Sequence, residues 1–286
     1  MFYVLELSDY TGKNPLIKKF RKLFPFHQKP YRVEIPLCTY MVLPVYTVNG
    51  EISPQRLRRA VAPYAHRLVL PTAAKALNLP HFNADFFLDA VLFNTAAYLL
   101  SRAADAQRQL SAAVIDHNGC YITGARQLLQ HASEVRIFTD YPELYQAASD
   151  QTLDQFGADF ILCEKGYNSA QIDLIVSPGE SPKCIYTQHG RYTLENETVK
   201  IGAGFRHTVP SGVSECDFGA ALVKFEGHKR FMLVKSEHLR LNDRIVDVAR
   251  SISLQPAVHI PLSDAPASSP EPSQTPAVEK VSSTDV

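Results

Sequence analysis

The chain has 286 residues, 45% of them apolar and 20% charged, which suits a folded globular protein of one large or two modest domains. Its 29 basic and 29 acidic residues balance, so no global field favours nucleic acid, and none is expected as a partner. No apolar run reaches bilayer length and the N-terminus (MFYVLELSDY) has acids where a secretory signal would be apolar, so a cytoplasmic protein without a transmembrane segment is expected.

Residues 1–110 read as a mixed α/β region. Short runs rich in Val, Ile, Tyr and Phe (FYVLEL, YRVEI, MVLPVYTV, RLVLP) predict strands. In NPLIKKFRKLFPF (14–26), Leu16, Ile17, Phe20, Leu23 and Phe24 fall on one helical stripe, with Lys18, Lys19, Arg21 and Lys22 off it. Seven basic residues and no acid lie between Thr11 and Val33. Such a stripe suits an anionic membrane surface or an acidic partner. The plainer reading is a peripheral helix with solvated lysines. Ser53 as N-cap and Pro54 as first helical residue open a helix over 54–65. A longer helix over 84–104 follows from Phe86, Phe87, Ala90, Val91, Asn94 and Tyr98 at helical spacing, with Asn83 at its cap.

From 112 to 187, strands and helices alternate. AAVID, EVRIFTD and DFILCE are separated by helical stretches of 11 to 18 residues, and IDLIVS and KCIYT follow. This order predicts an α/β fold with a Rossmann-like parallel-sheet domain over 111–253. Such sheets take ligands beyond the carboxyl ends of their strands. Asp116, His117, Asn118 and Gly119 follow the first strand, and Thr139 and Asp140 end the second. These six form the candidate binding set for a small molecule or a protein partner. Cys38, Cys120, Cys163, Cys184 and Cys216 have no paired spacing and read as reduced thiols. No histidine spacing suggests a metal site.

In its strand–turn–helix order the segment resembles Rossmann NAD(P)-binding domains, including the shikimate-dehydrogenase-like group. Asp140, twenty-four residues after Asp116, stands where an acid would meet a ribose hydroxyl. The resemblance implies NAD(P) as cofactor and an oxidoreductase activity. The glycine fingerprint is not intact: Asp116 and Asn118 occupy glycine positions, and only Gly119 and Gly124 are nearby. Asp116 is also similar to the first motif of haloacid-dehalogenase-like phosphohydrolases, where a strand-end Asp attacks phosphorus and an acid two places on protonates the leaving group. That resemblance would give Thr139 and Lys165 phosphate contacts and Asp173 a metal contact, but Asn118, an amide, cannot act as a general acid. Without any ligand, Asp116-His117-Asn118-Gly119 is a good turn. Asp140, with Glu143 three residues on, reads as a capping box for the next helix.

Beyond 187 the pattern loosens. A Gly-rich turn (IGAGFRHTVPSG), a helix over 214–226, a final strand RFMLVKS and a helical LNDRIVDVARSI are expected. Asp217-Phe218-Gly219 spells the kinase magnesium triplet without the loops that give it meaning. Residues 254–286 are dominated by Pro, Ser, Ala and acids, which predicts a disordered tail. No catalytic constellation is complete. The sequence therefore points to a binding or regulatory protein on a Rossmann-like scaffold. The alternatives are an NAD(P)-dependent oxidoreductase with a divergent phosphate turn and a phosphohydrolase.

Overall fold

The computed structural model describes residues 1–9, 14, 16, 19, 29–47, 52–103, 109–163 and 172–254. Most of the 14–26 stripe, Lys165 and the tail from 255 lie outside the described residues. The architecture is α/β, with two sheets and the helices between them.

The smaller sheet has the order β2-β3-β1-β4, from β1 (Tyr3–Asp9), β2 (Tyr31–Ile35), β3 (Cys38–Thr47) and β4 (Leu68–Val69). β1 runs parallel to β3 and β4, and β2 is antiparallel to β3. β3 is largely apolar because both its faces are covered. Leu43 and Val45 pack with Leu5 against Leu57 and Val61 of helix α1 (Pro54–Val61), whose i, i+4 spacing aims both at the sheet. Tyr40 and Val42 face the other way, into the main core. Ser53 and Pro54 start α1 as expected, although Ser53 makes no side-chain cap bond.

Helix α2 (Asp85–Ala103) lies at the centre of the molecule. Ten of its nineteen residues are buried, because it touches the large sheet, helix α3 (Ile122–Leu128) and helix α5 (Glu215–Glu226) at once. Asn83 caps its start by accepting the Asp85 N–H at 2.8 Å. Gly124 lets α3 approach closely: a Cβ there would lie 2.4 Å from the Phe93 ring. Phe218 of α5 packs on Phe2 and Tyr40, joining the small sheet to the same core. Asp217-Phe218-Gly219 is thus helical and packed, with Asp217 paired to Lys75 at 2.6 Å.

The large sheet has eight strands in the order β12-β11-β10-β9-β8-β5-β6-β7. β5 (Ser111–Ile115), β6 (Glu134–Phe138), β7 (Phe160–Cys163) and β8 (Leu174–Ser177) run parallel. α3 follows β5, and helix α4 (Pro142–Phe156) follows β6. Counted in chain order these four strands stand 3-2-1-4, so the order reverses between β5 and β8. The expected parallel sheet is therefore only half of what forms. β9 (Lys183–Thr187), which holds KCIYT, pairs antiparallel to β8, and the meander continues through β10 (Gly190–Leu194), β11 (His238–Leu241) and β12 (Arg244–Asp247).

Two expected elements differ. RFMLVKS is not a strand: Lys229–Leu233 is a 3-10 turn, and the Asn94 amide donates to the Met232 and Val234 carbonyls at 2.7 Å each. Its backbone is satisfied by a helix side chain and not by a neighbouring strand. LNDRIVDVARSI is mostly hairpin. Leu241 pairs with Arg244 across a two-residue Asn242-Asp243 turn, with Asn242 at φ +53°.

Candidate functional site

The switch point between β5 and β8 opens on the face where α2, α3 and α4 begin. Asp116 is the first residue beyond β5 and donates its N–H to Phe138 O at 2.8 Å, extending the ladder by one bond. The chain then turns sharply, with Gly119 N–H donating to Asp116 O at 3.3 Å. Gly119 is at φ +66°, and a Cβ there would lie 2.5 Å from Leu144 Cδ1. The left-handed backbone favours glycine, while the exposed Leu144 side chain could turn aside from a Cβ.

Asp116 is fully buried. Its carboxylate accepts from Cys120 N (3.1 Å), Tyr121 N (2.8 Å) and the Tyr145 hydroxyl (2.7 Å). The two N–H groups belong to the entry of α3, where a bound phosphate would otherwise find its donors. An internal anion occupies that position. Burial first, and then the bond to Asp116, push the Tyr145 phenol far above its ordinary pKa, so it remains a donor. Edge-to-face packing on Phe160, with centroids 5.3 Å apart, fixes the Tyr145 ring.

The opposite wall carries residues the sequence reading did not single out. Lys183, on β9, lies 2.6 Å from Asp89 Oδ1 and donates to Pro178 O at 3.1 Å, just past β8. Burial raises the Asp89 carboxyl, with Lys183 pulling the other way. Tyr121 is pushed up to about 12 by burial, then by the negative charges of Asp89 and Asp116. Asp89 had a signal in its place near the positive end of a predicted helix, on its second turn. Tyr145 and Lys183 had none, because their partners are distant in sequence.

The six sequence candidates divide. Asp116 and Gly119 are buried and shape the turn. His117 and Asn118 are exposed on it, and Asp140 is exposed beside it, with His117 Nδ1 3.6 Å from Asp140 Oδ2. Thr139 is half-buried and accepts the Tyr141 N–H at 3.1 Å. The expected capping box does not form, because Tyr141 holds the N-cap position of α4 without a side-chain cap bond. Asp173 lies at the other end of the sheet, accepting the Ser111 N–H at 2.9 Å at the start of β5. It does not join Asp116.

Among the described residues, no group of three His, Cys, Asp or Glu side chains is placed to hold a metal ion. All five cysteines are free thiols. Among the described residues no helix is long and apolar enough to cross a membrane.

No family model and no curated protein matches the chain. Among solved structures it is similar to the L-tryptophan dehydrogenase from Nostoc punctiforme, at 14% identity and a TM-score of 0.25. The match covers 61% of this chain and 55% of that one, so the chain spans little more than half of its length.

Proposed function

We propose that this chain is a binding or regulatory protein that uses the strand-end crevice of a Rossmann-like sheet without a dinucleotide phosphate. The observation that carries the reading is the Asp116 carboxylate on the α3 entry, which takes the donors a pyrophosphate would need and would repel its charge. Asp116 and Gly119 set the turn from below. His117, Asn118, Thr139 and Asp140 supply an imidazole, an amide, a hydroxyl and a carboxylate at the rim, a set suited to a small polar ligand or a partner's polar side chains. Five unpaired thiols accord with a reducing, cytoplasmic setting.

Thermal unfolding of the full chain tests this against NAD(H), NADP(H) and magnesium with orthovanadate. A ligand bound only by the native state at a hundredfold excess over its Kd stabilises by about 2.7 kcal/mol. Neither dinucleotide should move the midpoint at millimolar concentration. A dinucleotide shift would overturn the proposal in favour of an oxidoreductase with a divergent turn. A magnesium-dependent vanadate shift, lost in Asp116→Asn, would favour a phosphohydrolase.

A further inference from the structure

A second concavity lies away from the switch point, on the face of the small sheet turned toward the main core. It encloses about 430 Å³, within the range of small-molecule pockets. The strand register explains its floor. Val4 pairs with Val42, Tyr31 with Val42 and Val33 with Tyr40, so these side chains and Glu6, two residues past Val4, share one face. The facing wall is the Pro71 corner and the Pro210–Gly212 loop, held together by the Thr72 N–H donating to Gly212 O at 2.8 Å. The site thus joins two layers of the molecule.

Its chemistry is one-sided. The floor is apolar, with Val4, Tyr40 and Val42 at most 6% exposed. Glu6 is the one ionisable acid among the described lining residues, and no basic side chain stands among them. Glu6 is solvent-accessible and accepts the Tyr31 hydroxyl at 2.7 Å. That bond pushes Tyr31 up to about 12, so the phenol stays protonated and adds no second charge. An anion would meet Glu6 with no basic side chain among the described lining residues to offset it, and a neutral guest would gain nothing from the charge. A cation would be paired, and Tyr31 adds an aromatic surface next to the charge.

We propose that this cavity binds an organic ammonium ion with an apolar body, the head at Glu6 and the body on the Val4–Tyr40–Val42 floor. The inference does not depend on the switch-point crevice.

Calorimetric titration of the full chain with 3-phenylpropylammonium, 3-phenylpropanol and 3-phenylpropanoate tests it. The ammonium ion should bind, the alcohol at least tenfold more weakly, and the carboxylate not at all. Glu6→Gln is a solvent-accessible isosteric change and should weaken the ammonium ion at least tenfold, with less effect from Tyr31→Phe. Higher salt should weaken it too. Asp116→Asn should leave its affinity unchanged, which separates this site from the crevice. Equal binding of ammonium and alcohol, no binding of either at millimolar concentration, or an unaffected Glu6→Gln variant would overturn the proposal.

Discussion

Replacing Asp116 by alanine should destabilise the protein severely, because the carboxylate is built into the fold. Three donors converge on it within 3.1 Å at a fully buried position. A hydrogen bond to a charged group contributes about 1.5–3 kcal/mol, and a buried donor left without a partner costs about 1–3 kcal/mol. The three bonds share one acceptor and do not add, so the expected loss is about 3–5 kcal/mol. Tyr145→Phe removes one donor and leaves the other two bonds in place, so about 1–2 kcal/mol is expected. The measurement is urea unfolding of the full chain followed by circular dichroism, comparing midpoints at an unchanged slope. An Asp116→Ala variant within 1 kcal/mol of the parent, or more stable than it, would refute the structural assignment. That outcome is the signature of a group held in a strained site for its chemistry.

Four other outcomes follow from the same geometry. Gly119→Ala should cost about 2–4 kcal/mol in unfolding experiments, from left-handed strain plus displacement of the Leu144 side chain. Gly157→Ala has a similar φ of +65° but open space around it, and should cost only about 1–2 kcal/mol. Ser214→Ala should lower stability by about 1 kcal/mol, because its hydroxyl accepts the Asp217 N–H, whereas Ser53→Ala should cost little because no such bond exists. For Glu180, burial alone would raise the carboxyl, but bonds from Tyr186, Ser177 and Arg191 outweigh it and hold it below the ordinary range. A depressed folded-state pKa gives stability that is present above the unfolded value and lost as pH falls. Glu180→Gln should therefore be less stable than the parent at neutral pH, with the gap closing below roughly pH 4 in pH-dependent unfolding.

The parallel strands were legible because β5, β6 and β8 are short runs containing Val and Ile, four or five residues long and followed by turn formers or a helix start, too short for a buried helix. What failed was periodicity over short spans. In LNDRIV, the i, i+4 spacing of Leu241 and Ile245 suits a helix, and only the Asn242-Asp243 pair, a two-residue hairpin turn, points to two strands. In RFMLVKS the apolar density resembles a strand, yet Leu233 is 79% exposed and the segment is tied down by Asn94, 138 residues away from Met232. Propensity carries no information about a partner so distant. The strand ends themselves were legible, since β5 and β6 stop close to where their apolar runs do. The inward orientation of Asp116 was not, because Tyr145 identifies itself as its partner only when α4 is folded beside the turn.

Half of a doubly wound sheet supplies the geometry of a nucleotide crevice without its charge. In a complete one, helix N-termini on both sides of the switch point leave donors for an anion. Here the donors entering α3 are answered by Asp116, and past β8 the chain returns as the antiparallel β9 with no intervening helix. The cation that β9 brings, Lys183, is taken up by Asp89 and the Pro178 carbonyl. Asp116 and Lys183 therefore each have a partner within the fold, and what faces outward beside the turn is His117, Asn118 and the Asp140 carboxylate.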